Sequence, residues 1–427
     1  MKILILYFKI GRQNDRVHVN EHLYSFRNYI KGVEFYYFNA CNGIPWYLTI
    51  PEFDGVIIHY TFLIRRYNKK YYKDWSKKIG NLKRIKGYKI GISQDEYAES
   101  EKLCTIFKEF GIRSVFTCIP ESDYQKVFPC DKISFDKIET VLAGYIDEIA
   151  ASRLKKIVEM ERPIDLGYRA VKHAYWLGRH SQLKFDIGEF FKNKLASSDL
   201  KTDISTSIKD VIHGNKWYKF LLKCRVILGC EGGASLFDPT GEIRIAVEKY
   251  IMGNPGATFN EVEAACFPEK DHTLDLITIS PRHFESIITK TCQVLVEGEY
   301  QGILKPGIHY IELKRDYSNL DIVLEKIHDV EYCKTIAENA YKDIYLSGKY
   351  SYNNFAGKII DYISIKSGQN EHSDPIPLIS PILRSWLKVR RFFEPVIIKL
   401  IFPWRYLKIY RADIFRQIRM RRGKRAL

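Results

Sequence analysis

Short apolar runs alternate with amphipathic segments along the first 150 residues of the chain. Apolar runs of four to eight residues predict buried strands, and a segment such as 99–110, closed by Gly111, predicts a helix. The predicted strands are Ile3–Tyr7, Val33–Phe38, Gly55–Tyr60, Tyr88–Ser93, Ser114–Ile119 and Val141–Tyr145. Because strands that alternate with helices favour a doubly wound parallel sheet, we expect an α/β domain over residues 1–155.

A second alternation of strands and helices begins near Arg162 and predicts another α/β domain over residues 156–350. Its strands are expected to form one sheet, and they are Ile164–Tyr168, Asp203–Ser205, Val226–Gly229, Ile277–Ile279, Gln293–Val296 and Tyr310–Leu313. A helix from residue 352 to 365 is expected to cross back onto the first domain. It forms, with a Gly-, Ser- and Pro-containing linker, the segment 351–380.

The basic charge of the chain is concentrated in its last segment, 381–427. This segment holds 14 Lys and Arg against two acids, so it accounts for +12 of the net charge of +16. From Trp404 onward, aromatic and aliphatic residues share one helical face and basic residues flank it, which is typical of a helix on an anionic bilayer surface. A helix packed on protein and a basic arm on nucleic acid are the alternatives. The small charge of the remaining chain argues against a nucleic-acid partner.

Composition narrows the class of protein further. The nine cysteines are odd in number, scattered and never spaced as Cys-x-x-Cys, which favours reduced thiols in a cytosol over a disulfide or zinc framework. The chain has no apolar stretch long enough for a spanning helix, and its N-terminal apolar run is too short for a secretory signal. We therefore expect a cytoplasmic protein without a metal site or cofactor.

The stretch from Ile277 to Lys326 carries the strongest functional signal. It begins with a short strand, followed by Ser280 as a predicted N-cap, Pro281 as the first helical residue and Glu285 one turn inside. The free backbone donors of a helix that starts at the carboxyl end of a strand favour an anionic ligand. This order predicts a nucleotide-binding half-site.

The arrangement resembles the second domain of glycosyltransferases built from two Rossmann-like domains, the GT-B type, of bacterial surface-polysaccharide clusters. The resemblance covers roughly residues 1–365. It implies that Glu285 binds the ribose of a nucleotide-sugar donor and that Arg169 and Lys184 bind its diphosphate. Many retaining members carry a second acid eight residues earlier, where this chain has Ile277.

Several residues are candidates for contact with the donor or for catalysis. The donor-binding candidates are Arg169, Lys184, Glu231, Gly232, Gly233, Arg282, His283, Glu285 and Glu297. A catalytic base would come from the first domain, where His59 follows a predicted strand and can titrate in the useful range. Asp95 and Glu96 are the second choice. For each residue the alternative is a structural role, such as a solvated cation, a helix-dipole acid or a satisfied histidine.

These observations predict a metal-independent glycosyltransferase on the inner face of a bacterial membrane. Its acceptor would be a lipid-linked or surface-polysaccharide glycan, such as an intermediate of lipopolysaccharide, O-antigen or capsule, because a membrane-surface tail suits a lipid-borne substrate. A non-catalytic nucleotide- or sugar-binding module of a polysaccharide assembly complex is the main alternative.

Overall fold

The structure is a computed structural model that describes residues 1–9, 16–67, 69–129, 133–155, 158, 161–368 and 385. The predicted membrane-surface tail, 381–427, lies outside the described residues except for residue 385. The predicted linker is described as far as residue 368.

The first domain contains a six-stranded sheet in which every strand pairs in parallel. Its strands are β1 (Lys2–Tyr7), β2 (Glu34–Asn39), β3 (Glu52–Ile58), β4 (Lys86–Ile92), β5 (Ser114–Thr117) and β6 (Lys137–Thr140). The first five predicted strands are confirmed to within a few residues. The sixth prediction, Val141–Tyr145, is wrong. The edge strand β6 is only half-buried and therefore lacks the apolar run that marks the other strands.

Helices cover both faces of this sheet. They are α1 (Val17–Tyr29), α2 (Tyr60–Leu63), α3 (Lys69–Lys78), α4 (Ser100–Phe110), α5 (Tyr124–Val127) and α6 (Glu148–Leu154). Gly111 ends α4 in the left-handed conformation, with φ of 67°, as its position after the amphipathic segment predicts.

The second domain contains a five-stranded parallel sheet and a separate two-stranded antiparallel ribbon. The strands in chain order are β7 (Ile164–Arg169), β8 (Thr202–Ser205), β9 (Cys224–Gly229), β10 (Gly232–Ala234), β11 (Leu276–Thr278), β12 (Cys292–Val296) and β13 (Ile311–Leu313). The prediction that the strand near Ile277 belongs to the main sheet is wrong. That strand is β11, and it pairs with β10 in the ribbon.

The helices of the second part of the chain are α7 (Leu183–Lys194), α8 (Lys216–Lys223), α9 (Glu242–Gly253), α10 (Phe259–Cys266), α11 (Pro281–Ile288), α12 (Leu320–His328), α13 (Val330–Ala340) and α14 (Tyr352–Ser367). The two helices α9 and α10 lie between β10 and β11 and share a small apolar core. The last helix, α14, packs against α1 and β3 of the first domain. None of the described helices is long and apolar enough to cross a membrane.

The two sheets share one strand order. The first runs β2-β1-β3-β4-β5-β6 and the second β8-β7-β9-β12-β13, so in each the order reverses beside the first strand. Ligands of open parallel sheets bind at such a switch point, outside the carboxyl ends of the strands.

The two domains also touch each other near α11. A Cβ on Gly144 would lie 2.8 Å from the ring of Pro281, so this close approach requires glycine. The start of α1 shares a buried apolar cluster with α8 and α11 through Val17, Trp217 and Phe284. The cleft between the domains is therefore bordered by α1 on one side and α11 on the other.

Candidate active site between the two domains

Three cations from both domains come together in this cleft. Arg16 immediately precedes α1, and Lys184 is the second residue of α7, so the two residues follow the first strand of their respective sheets. Desolvation, followed by the charge of Arg282, lowers the pKa of Arg16. Desolvation also lowers the pKa of Lys184, and both arginines add to the effect. Lys184 and Arg282 also line one pocket, and cations that lie together favour an anionic ligand.

Lys184 reaches the loop that follows β9. Its Nζ lies 3.6 Å from the position that a Cβ on Gly232 would occupy. Within the described part of the chain, Nζ makes no hydrogen bond and no ion pair. An ammonium group in a desolvated cleft without a partner is available to a phosphate oxygen.

Glu285 lies where α11 meets the first domain, and only 4% of its surface is exposed. Its Oε2 accepts a hydrogen bond of 2.5 Å from Trp217 Nε1. His18 Nδ1, from α1, lies 3.5 Å from its Oε1, which has no hydrogen-bond partner among the described residues. This carboxylate therefore retains one oxygen that can accept from a ligand hydroxyl.

Asp95 projects from the carboxyl end of β4 toward the same cations. It adopts φ of 62°, in the left-handed region, and its carbonyl accepts hydrogen bonds from Arg66 Nη2 at 2.7 Å and from the Tyr67 hydroxyl. The residue is exposed, and its side chain interacts with the Tyr97 hydroxyl. Desolvation raises the pKa of its carboxyl, while Arg16 and Lys184 are among the groups that oppose the rise. Asp95 is thus a carboxylate that both domains surround.

The predicted donor residues Arg169 and Arg282 contact each other. Arg282 Nη1 donates a hydrogen bond of 2.7 Å to the Arg169 carbonyl, and its guanidinium lies 5.0 Å from the centre of the Trp217 ring. The Arg169 guanidinium donates through Nη1 to the Asp203 carbonyl and through Nη2 to Asp203 Oδ1, each at 2.7 Å. These contacts bind Arg169 to β8, where it lines one pocket with Lys184 and Arg282.

A pocket lies at the carboxyl ends of β7 and β9, between α8 and the start of α11. Its walls combine aromatic side chains with cations, including Trp217, Phe220, Lys184 and Arg282. A larger groove between α3 and α4 shares none of these residues. Aromatic walls beside cations suit a ligand that has a flat ring and an anionic group.

The predicted Glu231, Gly232 and Gly233 have different surroundings. Glu231 Oε1 accepts a hydrogen bond of 2.6 Å from the Tyr300 backbone, and its pKa is raised by burial. Gly233 has φ of +104°, and a Cβ there would lie 2.1 Å from the Leu276 carbonyl oxygen. Within this loop, Gly232 is therefore the residue that faces Lys184, while the other two hold the loop in place.

His283 and Glu297 have their polar atoms engaged inside the second domain. The ring nitrogens of His283 lie 2.8 Å from Gln293 Oε1 and 3.3 Å from the Cys230 carbonyl, and burial lowers its pKa to about 4. Glu297 Oε1 accepts a hydrogen bond from the Arg315 backbone N–H, and Glu297 Oε2 lies 3.2 Å from Lys314 Nζ. These contacts assign structural positions to both side chains.

Two of the three predicted base candidates lie in the interior of the first domain. His59 is 0% exposed, and its Nδ1 accepts a hydrogen bond from the Thr61 backbone at the start of α2. Glu96 is 1% exposed and accepts a hydrogen bond of 2.5 Å from Thr117 Oγ1. Of the three, Asp95 is the one that the structure places at the cleft.

Sequence reasoning missed Arg16 and His18. Neither belongs to a motif, but both follow β1 at the start of the first crossover helix, where parallel sheets place ligand contacts. Attention to that position could have found them. In the described part of the chain, no group of three or more His, Cys, Asp or Glu side chains could hold a metal ion.

No model of a known protein family matches the chain, and no curated protein matches its sequence. The fold is similar to solved structures. One is HepE from Anabaena in complex with UDP and glucose, at 10% identity, covering 85% of this chain and 99% of that chain with a TM-score of 0.43. Another is an alpha-glucosyltransferase in complex with UDP-glucose and DNA containing an abasic site, at 12% identity, with coverage of 85% and 99% and a TM-score of 0.49.

A third similar structure is sucrose-phosphate synthase from Thermosynechococcus elongatus, at 8% identity, with coverage of 87% and 100% and a TM-score of 0.44. The solved structures to which the chain is similar thus include glycosyltransferases with bound UDP-glucose.

Proposed function

We propose that the chain is a glycosyltransferase of the GT-B type, which moves a sugar from a nucleotide-sugar donor to an acceptor hydroxyl. The observation that carries the proposal is the pocket that Arg169, Lys184 and Arg282 line together in the second domain, with Arg16 and Asp95 of the first domain close enough to act on Lys184 electrostatically. A diphosphate leaving group gains negative charge as the sugar departs. Preorganised cations in a desolvated cleft stabilise that charge.

Residues of the second domain would supply the remaining contacts with the donor. Glu285 Oε1, which lies beside His18 and accepts no hydrogen bond among the described residues, suits a ribose hydroxyl, which would donate to it. We place the base near the pocket that Trp217 and Phe220 line together with Arg169 and Arg282. We place the donor in the second domain and the acceptor against the first.

In the proposed reaction, Asp95 accepts the proton of the acceptor hydroxyl as its oxygen forms a bond to the anomeric carbon. The bond from that carbon to the diphosphate oxygen breaks, and the electron pair leaves with the nucleoside diphosphate. Arg16, Lys184 and Arg282 supply the charge compensation, so we propose a reaction that needs no metal ion. Turnover that disappears with EDTA and returns with a divalent cation would contradict a metal-independent reaction.

The nature of the acceptor rests on the tail. A basic amphipathic segment at 381–427 supports a lipid-linked or surface-polysaccharide acceptor and a peripheral position on the cytoplasmic face of a membrane. A chain that ends at Ser380 should keep its melting temperature but lose sedimentation with anionic vesicles. If it sediments as the full chain does, the tail is not the membrane contact.

Asp95→Asn separates a transferase from a binding module. The variant should bind the nucleotide sugar as the wild type does but lose at least about 100-fold in turnover of that donor, since a general base contributes about 10²–10⁴-fold. Asp74→Asn, on the exposed face of α3, is the matched control and should keep full turnover. A wild-type chain that binds nucleotide sugars without any turnover would favour the non-catalytic alternative.

A further inference from the structure

A short turn of residues His180–Gln182 precedes α7 and is tightly anchored. The His180 backbone donates a hydrogen bond of 3.1 Å to Ser235 Oγ, which itself donates to Asp271 Oδ1 at 2.7 Å. Ser181 Oγ donates to the Gly178 carbonyl at 2.7 Å. The backbone and the hydroxyl group of this turn therefore have their partners.

Two side chains of the same turn do not. His180 is 3% exposed, and neither of its ring nitrogens makes a hydrogen bond of normal geometry among the described residues, although the Glu231 backbone lies close to the ring. Gln182 is 5% exposed, and its Nε2 donates to Ser181 Oγ at 2.8 Å while its Oε1 has no such partner. Buried polar atoms without partners destabilise a folded protein, and their retention in an otherwise satisfied turn points to a ligand.

The turn lies beside the cleft cation Lys184, two residues further along. Strand β10 contacts the turn directly, and Gly232 at the start of β10 is the residue that Lys184 Nζ approaches. In a nucleotide sugar, the sugar is bonded to the terminal phosphate. A diphosphate held by Lys184 therefore brings its sugar within reach of this turn.

We propose that His180 and Gln182 bind hydroxyl groups of the sugar that is transferred, and that this sugar is neutral. The inference rests on the proposed function. A neutral imidazole has one donor and one acceptor nitrogen and an amide oxygen accepts, so together they match hydroxyl groups, which both donate and accept. Burial, with Lys184 adding to it, lowers the pKa of His180 to about 4, so the ring is neutral at pH 7.

The unpartnered atoms have no exposed surface in the ligand-free protein. Because β10 lies against the turn, binding of a sugar to these atoms requires β10 to shift. Gly232, at the start of β10, is compatible with such a movement because glycine restricts the backbone least.

The test uses the variants His180→Phe and Gln182→Leu in the full chain, which keep the size of each side chain and remove the unpartnered atoms. Binding is measured by calorimetry for UDP, UDP-glucose, GDP, GDP-mannose, ADP and ADP-glucose. Each variant should weaken binding of the nucleotide sugar by at least 10-fold and change binding of its matching nucleoside diphosphate by less than twofold. The melting temperature of the ligand-free variants should stay equal or rise.

His283→Phe provides the matched control for stability. Its nitrogens have partners, so this variant should melt at a lower temperature than the wild type. Equal affinities of the wild-type chain for a nucleotide sugar and its nucleoside diphosphate would overturn the subsite, as would variants that bind both ligands unchanged or lose both equally. If the wild type binds none of the six compounds, the proposed function fails and the subsite fails with it.

Discussion

His59 Nε2 donates a hydrogen bond of 3.0 Å to His22 Nδ1 in the interior of the first domain. The direction follows from Thr61, whose backbone N–H donates to His59 Nδ1 at 3.2 Å, so the proton of the His59 ring is on Nε2. Burial lowers the pKa of His22 to about 3 and that of His59 well below its ordinary value. Both rings therefore stay neutral in the folded protein at a pH where the unfolded chain takes up protons.

This histidine pair predicts destabilisation in mild acid. Stability is fully present above the unfolded pKa of about 6.5 and is lost as pH falls toward the folded value. For each ring, the free energy of unfolding should fall by about 1.4 kcal/mol between pH 7.5 and 5.5. His22→Gln should reduce the loss by about that amount, measured by urea unfolding at both pH values. The same loss in His22→Gln as in the exposed control His328→Gln would refute the assignment.

Arg66 is predicted to hold the segment that presents Asp95. Its guanidinium is completely buried and donates to the carbonyls of Leu63, Asp95 and Ala98. Arg66→Met removes these hydrogen bonds and should lower the free energy of unfolding by about 1–3 kcal/mol.

The matched control for Arg66→Met is Arg113→Met, which removes an exposed ion pair with Asp136. Arg113→Met should lower the free energy of unfolding by less than about 1 kcal/mol. Urea unfolding at pH 7.5 measures both variants, and equal losses would show that the buried contacts of Arg66 contribute nothing beyond a surface pair.

Gly233, after β9, and Gly256, between α9 and α10, should differ in tolerance to alanine. Gly233→Ala forces a side chain into a left-handed conformation and against the Leu276 carbonyl, so it should cost more than about 1 kcal/mol. Gly256→Ala, with no atom within 4 Å of the new Cβ, should leave the melting temperature nearly unchanged. A Gly233→Ala protein as stable as the wild type would show that the ribbon tolerates the strain.

Glu285 should bind the ribose hydroxyl groups of the donor. In Glu285→Gln, the amide oxygen can still accept from Trp217 Nε1, but the charged acceptor for ribose hydroxyls is lost, so affinity for UDP should fall about 10-fold or more. The discriminating ligand is dUDP or 3′-deoxy-UDP. The wild type should bind one of these more weakly than UDP, and the variant should bind the same ligand and UDP alike. Discrimination that survives in Glu285→Gln would remove the carboxylate from the ribose site.

Many of the helices and strands could be predicted from the local pattern of apolar and polar residues. The strands β1 to β5 are apolar runs because helices cover both faces of their sheet, and Pro281 at the first position of α11 follows from the fixed φ of proline. The short strand near Ile277 could not be assigned to a sheet in this way. Its partner β10 is separated from it by the segment that carries α9 and α10, and a three-residue run contains no information about its partner.

The candidate site was less accessible to sequence reasoning for a related reason. The position of Glu285 one turn inside α11 followed from helix geometry, whereas the burial of His59 depends on contacts with α1, which no local pattern records. The meeting of Arg16 with Lys184 depends on how the two domains pack. Burial and domain packing are set by tertiary contacts between distant segments.

The affinity of the full chain for nucleoside diphosphates and their sugars, compared between wild type and Lys184→Met, tests the central claim most directly. We predict that at least one of UDP, GDP, ADP and their sugar conjugates binds the wild type. Its affinity should fall about 10- to 100-fold in Lys184→Met, since a charge-assisted hydrogen bond contributes about 1.5–3 kcal/mol. Lys192→Met, at an exposed position of the same helix, should bind as the wild type does. Absence of binding by every one of these compounds, or equal binding by wild type and Lys184→Met, would contradict the account.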